Sequence, residues 1–151
     1  MKQFESVNEL LDFAIKEEEG AAAFYSKLAS KMDRPWMKKI FEDFAKEELG
    51  HKAKLVHIKD GGAVSLPKEK VLNLKLGDYL VVDEPSDDMD YQQALVLAMK
   101  KEKSAFRLYS DLAEVAEDEA LRDLLLGLAQ EEAKHKLRFE VEYDDQYMKE
   151  N

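Results

Sequence analysis

Glu18 is followed thirty residues later by Glu48-Leu49-Gly50-His51, and Glu102 is followed at the same interval by Glu132-Ala133-Lys134-His135. The two sets are offset by 84 residues, so the chain carries one group of metal-ligating residue types twice. A lone glutamate and a Glu-x-x-His pair from each half are what a two-metal carboxylate site inside four helices requires. This repeat constrains the fold more than any other feature of the sequence.

The same offset aligns the flanking residues. Ala14-Ile15-Lys16-Glu17-Glu18 through Leu28-Ala29 falls on Ala98-Met99-Lys100-Lys101-Glu102 through Leu112-Ala113, and Ala45 through Lys52 falls on Ala129 through Lys136. The pattern predicts a duplicated helical hairpin, with hairpin 1 over about 6–59, a crossover over about 60–89 and hairpin 2 over about 90–148. Ser6 with Glu9 and Asp90 with Gln93 read as capping boxes opening the first and third helices. The second helix is expected to open near Asp33, with Pro35 tolerated in its first turn, and the fourth near Glu117 or Asp118. At 151 residues with no break in composition, a single domain over 1–151 is expected.

Antiparallel neighbouring helices are usually joined by ~2–8 residues, whereas returning along a helix of ~35 Å takes at least ~10 extended ones. The connector between the hairpins is about thirty residues, which fits a crossover running the length of a bundle. Its Val71, Leu72, Leu74, Leu76, Leu80, Val81 and Val82 are too apolar for a solvated linker, and the pattern is compatible with a short helix or an extended stretch.

On a 100° helical wheel, Val7, Leu11, Ala14, Ala21 and Tyr25 lie within ~60° of Glu18, and Tyr91, Leu95, Ala98, Ala105 and Tyr109 surround Glu102 in the same way. Phe41, Phe44, His51 and Leu55 gather around Glu48, and Leu125, Leu128, His135 and Phe139 around Glu132. All four carboxylates and both imidazoles therefore sit in apolar stripes. Burying four ionised carboxylates without partners costs several kcal/mol apiece. Two divalent cations would balance them, with the imidazoles adding neutral nitrogen ligands. Oxygen-rich ligation with one nitrogen per metal suits iron first, then manganese, with zinc last.

A single Glu-x-x-His is weak support in a chain with 19 glutamates, where one falls at any given position about one time in eight. Here two of the three histidines have the motif, each thirty residues after a glutamate on an apolar stripe. His57 lacks the upstream glutamate and lies opposite Glu48 on its helix, so it reads as exposed. Tyr25 and Tyr109 lie seven residues after Glu18 and Glu102, only ~20° away on the wheel, where their hydroxyls can hydrogen-bond the carboxylates; core packing is the competing reading. Glu47 and Glu131 are candidates to accept the far ring N–H of each histidine, with surface charge the alternative. Trp36, the methionines, Tyr143 and Tyr147 suggest only packing.

A formal charge of −10 argues against nucleic acid or an anionic membrane as a partner. Without cysteine the chain has no disulfide, thiol nucleophile or rubredoxin-type iron centre. No apolar signal core or membrane span is visible, and a cytoplasmic protein is expected.

With Glu18 and Tyr25, Glu48-x-x-His51, Glu102 and Tyr109, and Glu132-x-x-His135 in place, the chain resembles the ferritin-like diiron-carboxylate superfamily over nearly its whole length, and most closely the ferritin-like domain of rubrerythrins. The resemblance implies an all-α, ferritin-like four-helix bundle of two antiparallel hairpins joined by a long crossover. It implies two iron ions, with manganese or a mixed iron/manganese pair also compatible. Glu48 and Glu132 would bridge the metals, Glu18 and Glu102 would be terminal carboxylates, and His51 and His135 would each cap one metal. Homodimers, sometimes with exchanged helices, are common in such families. Two-domain rubrerythrins carry a further glutamate where this chain has Ala105, repeated as Ala21, so the ligand set resembles the symmetric arrangement of bacterioferritin-type centres. No rubredoxin domain is expected, so the reductant is expected to be an external protein or small molecule.

The expected function is a redox enzyme that reduces hydrogen peroxide or dioxygen at the dinuclear centre. The alternatives are iron binding, ferroxidase activity or storage without small-molecule turnover, and a metal-free helical interaction module. The apolar setting of the glutamates counts against the last of these.

Overall fold

The computed structural model describes residues 4–61, 66–74, 81, 85–86 and 88–148, and every regular element among them is helical. They fall into two compact units, Phe4–Val64 and Ser65–Asn151. No described helix is long and apolar enough to cross a membrane.

The first unit is a hairpin of α1 (Val7–Ser30) and α2 (Pro35–Asp60). Ser6 caps α1, its hydroxyl accepting the Glu9 N–H at 3.0 Å. The capping box expected there is only half formed, because the Glu9 carboxylate accepts from the backbone of Glu5, 3.4 Å away, rather than from that of Ser6. Arg34 stands at the N-cap of α2 without a side-chain cap, one residue beyond the expected Asp33, and Pro35 occupies the first turn. Trp36 is 58% exposed there, with the Arg34 guanidinium 5.8 Å over its ring. The two helices run antiparallel: Lys52 pairs with Glu19 at 3.3 Å, and further along Lys59 pairs with Asp12. Leu11, Ala14, Tyr25 and Leu28 of α1 are buried, as are Met37, Phe41, Ala45 and Leu55 of α2. Each large apolar side chain among them contributes roughly 1.5–3 kcal/mol by leaving water. The rings of Tyr25 and Phe44 meet edge-on, with centroids 6.3 Å apart.

The second unit contains α3 (Lys68–Asn73), α4 (Tyr91–Val115) and α5 (Glu119–Tyr143), which ends in a π-helical turn at Asp144–Met148. The connector thus contains a short helix. Val71 is buried and α3 packs on α4; Leu66 is buried too, while Leu72, Leu74 and Val81 are half-buried. Leu76, Leu80 and Val82 lie outside the described residues.

Asp90 and Gln93 form the complete capping box expected for α4, at 2.7 and 3.0 Å. Asp118 caps α5 by accepting the Leu121 N–H at 3.0 Å. Arg122 braces the turn between α4 and α5, donating to the carbonyls of Ala113 and Ala116 at 3.3 and 2.8 Å. At the other end of the hairpin the Tyr91 hydroxyl donates to Glu142 at 3.0 Å, and the Gln92 amide donates to the Tyr143 hydroxyl at 2.7 Å. Leu95, Ala98, Tyr109 and Leu112 are buried on α4, and Leu125, Leu128, Ala129 and Phe139 on α5.

Candidate metal centre

Each hairpin gathers a buried triad of side chains able to ligate a metal. In the first, α1 supplies Glu18 while Glu48 and His51, one helical turn apart, project from the same side of α2. All three are 1–3% exposed. His51 Nδ1 lies 3.5 Å from Glu18 Oε2 and 3.6 Å from Glu48 Oε1. One ligand atom from each of the three comes within 4.8 Å of the others.

The second hairpin repeats the arrangement. Glu102 comes from α4, and Glu132 and His135 from α5; all are 1–2% exposed, and His135 Nδ1 stands 3.6 Å from Glu102 Oε1. Their ligand atoms also gather within 4.8 Å.

The electrostatics follow from the setting. Burial pushes the Glu18 carboxyl up to about 8; the adjacent His51 pulls it down and the negative charge of Glu48 adds to the rise. Two carboxylates walled by apolar side chains need a compensating positive charge, either protons or a cation. Two carboxylates and one imidazole form a hard, mixed oxygen and nitrogen donor set of the kind that can hold a metal ion.

The other singled-out residues are placed as follows. Tyr25 and Tyr109 are each 1% exposed, on the helices that carry Glu18 and Glu102. Glu47 is exposed and Glu131 half-buried, and His57 is exposed. Ala21 and Ala105 are half-buried and bring no further carboxylate.

The sequence reading missed Glu142, a buried carboxylate outside the ligand set that accepts from Tyr91. The repeat held a signal for it, since the positions 84 residues earlier are Val7 and Ile58, an apolar pair.

Residues 9–143 match the family model described as rubrerythrin. No curated protein matches the chain significantly. Among solved structures, a hypothetical protein from Pyrococcus furiosus is 27% identical with a TM-score of 0.70, over 93% of this chain and 89% of that one. A protein from Thermotoga maritima, provisionally described as a ferritin-like diiron-carboxylate protein, is 19% identical with a TM-score of 0.72, over 95% of this chain and 97% of that one. These likenesses identify the fold as an all-α, ferritin-like helical bundle.

Proposed function

The chain belongs to the rubrerythrin family, and from that premise we propose that its two half-sites together hold a pair of metal ions, iron foremost, at which hydrogen peroxide or dioxygen is reduced with electrons from an external donor. The observation that carries this reading is the equivalence of the two buried triads, whose His-to-Glu distances are 3.5 and 3.6 Å. Four carboxylates at −4 are balanced by two divalent ions at +4. Glu18, Glu48 and His51 would hold the pair together with Glu102, Glu132 and His135, and manganese or a mixed pair fits the same donors better than zinc does.

When bound, the ions supply the reducing electrons and the Lewis acidity that polarises the oxidant. The protein's own residues do the rest. Glu48 and Glu132 would help to hold the pair, while Tyr25 and Tyr109 would orient the carboxylates of Glu18 and Glu102 through their hydroxyls. Glu47 and Glu131 are assigned to the outer ring nitrogens of His51 and His135. The near-complete burial of both triads keeps bulk water away from these groups. We place the protein in the cytoplasm as a homodimer that takes electrons from a separate protein or small molecule.

The test is anaerobic. The metal-free protein is loaded with Fe(II), bound iron is counted, and peroxide or dioxygen is added with and without a reductant. About two irons per chain and repeated turnover are expected. Less than one iron per chain removes the paired-metal reading, and uptake of many irons per chain replaces enzyme with storage protein.

A further inference from the structure

The second hairpin carries a groove of about 460 Å³ between α4 and α5. Lys103, Arg107 and Lys136 line it together with Phe106 and Leu137, and Glu140 is its one carboxylate. Phe106 is 39% and Leu137 60% exposed, so apolar surface is offered to solvent beside three cations. On a chain of net charge −10 this is a local inversion of sign.

The repeat shows that the fold does not require this composition. Glu19, Ala22, Ala23 and Ala53 of the first hairpin stand where the second has Lys103, Phe106, Arg107 and Leu137. The Glu19–Lys52 pair, closed at 3.3 Å, corresponds to Lys103 and Lys136, two like charges lining one groove. Like charges so placed repel; Glu140 pairs with Lys136, and Asp111 is close enough to feel the charge of Arg107. The second hairpin thus has two more cations and the larger side chains of Phe106 and Leu137 where the first has Glu19 and alanines, while its Ala133 and Glu140 stand where the first has Leu49 and Val56.

We propose that this groove binds a small amphipathic anion, an apolar or aromatic body carrying a carboxylate, sulfonate or phosphate. Its volume is within the range of about 300–1,000 Å³ typical of small-molecule sites. The cations receive the anionic group, while Phe106, Leu137 and Ala133 receive the apolar body. Lys103, Ala133 and Lys136 directly follow Glu102, Glu132 and His135 in the chain, so the groove and the second triad share the same stretches of α4 and α5. The inference does not rest on metal binding.

Binding is tested on the full chain with 8-anilinonaphthalene-1-sulfonate, its uncharged analogue N-phenyl-1-naphthylamine, and inorganic phosphate, using fluorescence and calorimetry. Lys103→Glu is the informative variant, because it recreates the Glu–Lys pairing that the first hairpin already accommodates. Saturable one-to-one binding of the sulfonate is expected, weakened about tenfold or more by Lys103→Glu and also by removal of the ligand's charge. Phe106→Ala should weaken the sulfonate and leave phosphate unchanged. Sulfonate affinity equal to that of the uncharged analogue, or unaltered by Lys103→Glu, overturns the proposal. So does absence of sulfonate binding with a dimer that Lys103→Glu dissociates, which would assign the groove to a second copy of the chain.

Discussion

His135 Nδ1 lies 3.6 Å from Glu102 Oε1, and eighty-four positions earlier His51 Nδ1 lies 3.5 Å from Glu18 Oε2. The duplication has thus preserved a distance as well as a motif. Each contact joins two helices of one hairpin and places an imidazole against a buried carboxylate.

Removing a glutamate from either Glu-x-x-His pair should break the paired centre. Glu48→Ala and Glu132→Ala are each expected to lower bound iron from about two per chain to one or fewer. His57→Ala, at an exposed position, should leave the count unchanged. Metal analysis after desalting checks this, and equal losses in all three variants would sink the ligand assignment.

Loading should also stabilise the fold. An ion that binds only the native chain, present at about a hundred times its dissociation constant, adds about 2.7 kcal/mol, worth roughly 5–10 °C in the melting midpoint of a chain this size. Calorimetry with and without Fe(II) or Mn(II) reads the shift directly. The Glu48→Ala variant should show a smaller one.

Glu18 gives the metal-free protein a pH dependence of defined sign. Its folded carboxyl holds its proton up to about 8, against an ordinary value of 4.5, so between those limits the native state binds more protons than the unfolded chain. The contribution from this group is full below 4.5 and is lost as the pH climbs to about 8. Urea midpoints of the apo-protein across that window should fall less steeply in Glu18→Gln than in wild type. Parallel slopes would contradict the assignment. Metal affinity runs the other way and rises with pH, because the ion must displace that proton.

In the second hairpin the half-buried Tyr91 and the buried Glu142 form a polar pair outside the two triads. Tyr91→Phe leaves a buried carboxylate without its hydroxyl donor and should cost about 1–3 kcal/mol. The double variant Tyr91→Val/Glu142→Ile copies the Val7 and Ile58 of the first hairpin and should recover most of that loss. Denaturant unfolding of the single and double variants distinguishes a rescue from simple additivity.

Much of this architecture is legible in the residues because it is local and repeated. Ser6, Asp90 and Asp118 cap helices where short-range patterns place caps, and the wheel puts Glu18, Glu48, Glu102 and Glu132 in stripes that are buried in the structure. The rest depends on partners far apart in the chain. Glu142 is buried because Tyr91, 51 residues away, donates to it, and helical periodicity contains no such information. The Ser6 box stays half closed because Glu9 reaches Glu5 instead, a choice between two neighbouring amides that spacing cannot rank. The exchange of Glu19 for Lys103 is visible in the repeat, but the groove itself depends on how the side chains of α4 and α5 meet, which the repeat does not contain.

The Arg34 end of α2 has one more consequence. The other three long helices start on a Ser or Asp side chain that accepts a first-turn amide, whereas α2 starts without a side-chain cap and has no acidic residue in its first turn. Its opening amides are therefore those that fray soonest, and hydrogen exchange should proceed inward from Trp36 toward Phe41 while the turns around Glu48 and His51 remain protected. The first hairpin would then breathe from the end away from Glu48 and His51, exchanging its rim with solvent without opening the triad.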